Sequence, residues 1–364
     1  MSDGRPRSRR RAALLWSLSL VASLVMLWVA RAQFGVRLVP DAFEVVDVGA
    51  AVLAIGLHPI YAALRAGRLA FALDPVVAHA GGEPRARFDR GALYGSGFVS
   101  FLVLLVLPLK LGEASRPLLL AQARQPGVGL AEAVAAVGLE RVIDGLLICT
   151  MLFGGLAAAH AQTEAFAGAD QLATVSRFGQ GMGAIFLGAL VCAVLAARAP
   201  AAWGRGVARV FAPLSSRLGA VLGRVVERLA ETFAALLHAR RLLALVLVSV
   251  GYWAVTVLQL WAVARASGLP LSAAAATATV AIIGLSIQLP GGPAQTGTFQ
   301  VGAAAALSLF VDLAQVGDPA HAFVATMFAL PLLGAVVMAI PGAWLLARVR
   351  RATAAAAPAD GVLR

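Results

Sequence analysis

Apolar residues fall along this chain in long continuous runs, parted by short stretches that concentrate arginine, glycine and proline. Continuous runs predict bilayer-crossing helices, which need about 20 apolar residues each, whereas barrel strands would alternate. Residues 12–30 form the first run, behind five Arg in residues 1–11. It is longer than a signal-peptide core, so an uncleaved span with its N-terminus inside is predicted. The second run, about 45–64, ends at Arg65 and Arg68, which read as a return to the cytoplasm. His58-Pro59 within it reads as a kink beside a hydrogen-bonded histidine. Residues 65–90 carry Gly81-Gly82 and five Arg and read as a cytoplasmic loop with room for a short interfacial helix. An apolar helix over 91–107, a charged break, a short helix to Gln122 and a long helix from Leu130 to about Ala159 follow. Residues up to Met182 read as an outer loop, and 182–197 as a span back.

Residues 198–241 hold eight Arg and two Glu. Leu218, Leu222, Val225, Leu229, Phe233 and Leu236 recur there at helical spacing, predicting an amphipathic helix over 217–237. Its basic face would lie against anionic lipid headgroups in the cytoplasmic interface. A span over 242–264, an apolar run over 272–289, a Pro/Gly break, a helix over 298–311 and a last span over 321–346 complete the path. The predicted fold class is all-α: a polytopic integral membrane protein of about six full spans plus two opposed re-entrant, broken-helix hairpins. A single membrane domain, 12–347, includes the segment 198–241. It sits between the basic N-terminus 1–11 and a cytoplasmic tail, 348–364, read as disordered.

The hairpins follow from closing the topology. Residues 91–122 must enter and return on the inner side, and 272–311 on the outer side. Both breaks contain Pro-x-x-x-Gly, at Pro108–Gly112 and Pro293–Gly297. Broken helices at membrane depth are tolerated where they line a cavity, and opposed ones mark transporters built from inverted repeats.

Composition agrees: 60% hydrophobic and only 13% charged. The net charge of +12 comes almost wholly from Arg, Lys110 being the sole Lys. Twenty-three Arg fall in the inner segments and four in the outer ones, which predicts both termini cytoplasmic and a plasma (inner) membrane location. Nucleic acid is not an expected partner. Cys149 and Cys192 lie in apolar runs and read as buried thiols, and the scattered His offer no metal site. No nucleotide or dinucleotide motif is present, so no cofactor and no catalytic residue is expected.

Lys110, Glu113, Arg116, Glu140, Arg141 and Asp144 fall inside the membrane boundary, three cations against three anions. Glu140 and Asp144 share a helix face at i,i+4, starting about 15 Å from residue 130. Two readings stay open. The group is a structural ion network, or Lys110, Arg116 and Arg141 line a site for an anionic headgroup while the carboxylates orient them or carry a proton. The second break offers Pro290, Gly291, Gly292, Pro293, Gln295, Thr296, Gly297 and Gln300. Thr296 or Thr298 would cap the following helix, and a plain turn is the competing reading.

Pro108-Leu-Lys-Leu-Gly-Glu-Ala-Ser-Arg116, Glu140-Arg-Val-Ile-Asp144 and Gly297-Thr-Phe-Gln300 together resemble the lysylphosphatidylglycerol synthase transmembrane family of flippase-like membrane proteins. Ala294-Gln295 and Gln300 depart from that family's usual Gly and Glu. The resemblance implies lipid handling: moving aminoacylated phosphatidylglycerol or another polar lipid across the bilayer. Family synthases add a soluble aminoacyl-transfer domain. This chain ends about 15 residues past its last span, so that activity is not carried over. The expected function is a lipid transporter with a midplane cavity between the hairpins. The alternatives are a membrane enzyme acting on lipid headgroups and a non-transporting accessory subunit of a soluble lipid-modifying enzyme.

Overall fold

A computed structural model describes residues 5–37, 39–162, 169–236, 239–289 and 291–356. The chain runs through α1 (Arg5–Phe34), α2 (Val48–Gly67), α3 (Ala70–Gly81), α4 (Arg90–Val106), α5 (Ser115–Gln122), α6 (Leu130–Ala161) and α7 (Ala169–Arg198). It continues through α8 (Pro200–Phe211), α9 (Ser216–Leu236), α10 (Ala239–Ala266), α11 (Ala273–Ser286), α12 (Thr298–Phe310), α13 (Leu313–Val316) and α14 (Asp318–Ala356). Among the described residues there is no strand, and the protein is an all-α polytopic membrane protein. Six helical stretches are long and apolar enough to cross a bilayer: 14–34, 48–81, 130–161, 171–198, 240–266 and 318–353. They match the six predicted spans one for one. The helices flanking the breaks, α4 and α11, are shorter, at 17 and 14 residues.

Helix starts follow local chemistry. Asp47, Asp89 and Ser272 accept hydrogen bonds from the backbone N–H groups of Ala50, Ala92 and Ala275 and so cap α2, α4 and α11. Polar contacts then gather the element ends at two poles. At one pole Val46 donates to Ala266, Arg265 lies 3.3 Å from Asp47, and His321 reaches the Gly35 carbonyl. At the other, Arg90 pairs with Asp74, Gln125 accepts from the Asp89 N–H, and Arg350 reaches Gln122. The two ends of the α4–α5 hairpin therefore share a pole. Helices pack closely where side chains are small: a Cβ on Gly95 of α4 would sit 2.9 Å from the Gly342 carbonyl of α14.

Several sequence expectations change. Helix α2 ends at Gly67, about where the second run was expected to end. Helix resumes at Ala70 and runs to Gly81, so 70–81 is the short helix of this stretch, but Arg65 and Arg68 are buried rather than in a solvated loop. His58 is buried, but among the described residues neither ring nitrogen has a hydrogen-bond partner; α14 packs so closely here that a Cβ on Gly334 would lie 1.9 Å from the His58 Nε2. Helix α7 begins at Ala169, which fills most of the expected outer loop, and residues 163–168 lie outside the described part. Cys149 is buried, whereas Cys192 is exposed on α7. Residues 198–236 form two helices, α8 and α9, packed through Gly204, Gly219 and Gly223. Leu229 and Phe233 of α9 join the core, while Leu218 and Val225 are exposed. Helix α14 continues to Ala356, into the expected tail, and residues 357–364 lie outside the described part, as does Pro290.

Candidate functional site

Groups from α2, α5 and α10 converge on Glu140 and Asp144 of α6. Arg68, which follows α2, donates from both terminal nitrogens to Asp144 at 2.5 and 2.6 Å, to Glu140 at 2.8 Å and to Ser249 of α10 at 3.2 Å. Arg116 of α5 donates to both Glu140 oxygens at 2.8 and 2.9 Å. Its other terminal nitrogen donates to the carbonyls of Arg65 and Ala66. The indole N–H of Trp253 on α10 donates to Asp144 at 3.1 Å. Glu140 and Arg68 are almost completely buried, at 0% and 1% exposure. Ions at that depth persist only when paired and multiply hydrogen-bonded, which this arrangement supplies.

Arg141, one residue from Glu140, stands outside this tight set. Its guanidinium is 4.0 Å from both Glu140 and Asp144, and its side chain is 36% exposed. It faces a cavity of about 200 Å³ between the two hairpin breaks. Lys110 and Glu113 of the first break line the same cavity, as do Ala294 and Gln295 of the second. Arg65 lines it too; the side chain is buried, stacks on Phe101 with its guanidinium carbon 4.0 Å from the ring centre, and among the described residues makes no ion pair.

The breaks are built alike and meet at the cavity. After Leu107 the chain forms a 3-10 turn over Pro108–Ala114, and α5 folds back along α4. A Cβ on Gly112 would lie 2.4 Å from the Leu104 Cα, so only Gly permits that return. Pro293–Gln295 forms the matching short turn before α12. Lys110, Ala294 and Gln295 all have positive φ, at 59°, 55° and 60°, a strained conformation for residues with side chains. Lys110 Nζ donates to Gln288 at 3.3 Å, joining the breaks.

The rest of the second break is turned away from the cavity. Gly292 and Gly297 admit α1, since Cβ atoms there would meet Ser23 at 1.7 Å and Met26 at 2.6 Å. Gly291 accepts from Ser19 of α1. Gln300 accepts from the Gly297 N–H, while Thr296 and Thr298 donate to the Pro293 and Gln295 carbonyls, so Gln300 rather than a threonine caps α12.

Thus the predicted residues divide. Lys110, Glu113, Arg141, Asp144 and Gln295 reach the cavity, whereas Arg116 and Glu140 lie in the ion network behind it. The expected balance of three cations against three anions fails, because Arg65 and Arg68 join the group and leave a cation excess. Both were missed as loop residues. His58, Tyr61, Arg65 and Arg68 recur at spacings of 3 and 4 on an apolar helix, and that polar stripe was the available signal.

A bundle of membrane-spanning helices with a charged cavity between two broken helical hairpins defines a polytopic membrane protein with a buried polar site. The chain belongs to the family described by the lysylphosphatidylglycerol synthase TM region, whose model matches residues 16–333. Neither a curated protein nor a solved structure matches the chain.

Proposed function

We propose that this protein moves a lipid with an anionic, phosphate-bearing headgroup between leaflets. The headgroup passes through the cavity between two re-entrant hairpins while the tails stay in hydrocarbon. The observation that carries this reading is the charge lining the cavity. Arg65, Lys110 and Arg141 face Glu113 and Asp144, and Asp144 is already held by Arg68 and Trp253. The cavity therefore keeps a positive excess that an anion would complement, and guanidinium groups bind phosphate oxygens in pairs. An enzyme acting on the same lipid is less well supported, since the one buried carboxylate at the cavity is fully engaged by donors.

The reading places both termini on the cytoplasmic side of a plasma membrane. With Arg65 and Arg68 removed from the loops, 21 Arg still fall in the inner segments against four in the outer ones. The α8–α9 pair then lies in the inner interface, with Trp203, Val210, Phe211 and Leu214 exposed beside Arg205, Arg209 and Arg217.

The test is leaflet transfer in phosphatidylcholine vesicles, comparing labelled phosphatidylglycerol with labelled phosphatidylcholine. Phosphatidylglycerol should move faster, and Arg65→Gln and Arg141→Gln should each slow it by about tenfold, equivalent to roughly 1.4 kcal/mol. Unchanged transfer in both folded variants would overturn the proposal.

A further inference from the structure

A second, almost wholly apolar groove of about 500 Å³ runs between α6, α10 and α11. Met151, Val250, Ala254, Val257 and Trp261 lie along it. Its polar member, Thr277, turns its hydroxyl back to the Ala273 carbonyl at 2.8 Å. The groove is separate from the charged cavity, yet Trp253 lines both. The indole is fixed there by its 3.1 Å hydrogen bond to Asp144, itself clamped by Arg68. The same pinned indole therefore forms part of the wall of both a cationic chamber and an apolar groove.

The channel has a direction. Val250 to Trp261 spans about 16 Å of helix, roughly half of a 30 Å hydrocarbon core. It runs from the level of the buried charges to the pole where α10 ends and α11 begins. There Trp261 donates to the Leu271 carbonyl, the amphipathic placement typical of a bilayer interface.

We infer that this groove holds one hydrocarbon tail of the lipid whose headgroup occupies the cavity, and that Trp253 is the partition between headgroup and tail. The inference rests on the anionic-lipid reading above. It adds that the lipid passes laterally between α10 and α11 into the leaflet at the Asp47–Arg265 pole. It also makes Trp253 a specificity-determining residue, because an indole at that wall admits a chain alongside it only as far as the headgroup junction.

Photocrosslinking in phosphatidylcholine vesicles tests it, using phosphatidylglycerol with a diazirine in one acyl chain. Label should concentrate on Val250, Ala254 and Val257, about tenfold above the exposed Ile185 of α7 and Leu24 of α1, a preference of roughly 1.4 kcal/mol. Ala254→Trp, or Leu258→Trp should the first fold poorly, fills the exposed channel and should return labelling to that background. Labelling of the groove no stronger than of Ile185 and Leu24, or unchanged by the filling substitution, would overturn the tail site. Equal enrichment with the corresponding phosphatidylcholine probe would support the tail site and overturn the anionic-headgroup reading, so the two failures are distinguishable.

Discussion

The two hairpin tips share a shape and differ in what holds them. The first carries Lys110, Glu113 and Arg116 and is fastened to α2 and α6 through Arg116 and Glu140. The second carries no charge, and its glycines are spent on admitting α1 against Ser19, Ser23 and Met26. A common turn geometry thus serves two different ends. At the first tip the break delivers ions to the cavity and the network behind it, and at the second it lets a neighbouring helix close in while presenting Ala294 and Gln295 to the cavity. Apparent symmetry of Pro-x-x-x-Gly spacing therefore says where the chain turns, and the flanking residues say what the turn is for.

The greatest expected effect breaks the first tip's anchor. Glu140→Gln leaves Arg68 and Arg116 without their shared anion and should cost about 3–5 kcal/mol, read as a lower thermal midpoint in detergent. A wild-type midpoint would mean that ions do not secure this hairpin. Next comes a matched glycine pair. Gly112→Ala should cost roughly 1–3 kcal/mol, since the new methyl meets the α4 backbone. Gly292→Ala meets the Ser23 side chain instead, so the Ser23→Ala partner substitution should restore stability there, while nothing comparable rescues Gly112→Ala. A third comparison separates function from stability. Arg141→Gln should slow phosphatidylglycerol transfer about tenfold yet change stability by no more than about 1 kcal/mol, because its pairs are long and partly exposed. Gln295→Ala, across the cavity at the uncharged tip, should slow transfer less. If the two variants prove equal, the cation that α6 presents to the cavity has no special role.

The smallest effect is a control far from both tips. The Ala50 N–H above all holds the Asp47 carboxyl below its ordinary value of 3.8; burial opposes it, and Arg265 adds a smaller lowering. A depressed folded-state value means that the contribution is present above the ordinary carboxylate range and lost as pH falls through the lowered one. Asp47→Asn should therefore flatten that part of the acid limb of stability, read as the thermal midpoint in detergent against pH.

Sequence reading recovered the six spans because their apolar runs outlast any alternative, and it recovered both breaks because Pro and Gly end helices. It found Glu140 and Asp144 because their spacing shares one face. It read Arg65 and Arg68 as loop residues because arginine after an apolar run ordinarily signals the membrane edge; their burial among α5, α6 and α10 shows only in three dimensions. It also overvalued the second break. Gly292 and Gly297 look like a ligand cradle in one dimension, and the helix that fills the space above them is α1, more than 250 residues away in the chain. Pairing at that separation leaves no local trace. The outcome for Trp253 was equally hidden, since an indole in an apolar run reads as core until Asp144 is seen beside it.

Arg116 also has a mechanical consequence. By grasping Glu140 with one nitrogen and the Arg65 and Ala66 carbonyls with the other, it welds α5, α6 and the end of α2 into a single stiff frame. Among the described residues, the hydrogen bond that ties this frame to the opposite tip is the one from Lys110 to Gln288. Loss of the Gln288 amide would therefore cut that polar tie between the tips while leaving the ion cluster whole, and α11 would still be held to the frame by its close packing on Gly155 of α6.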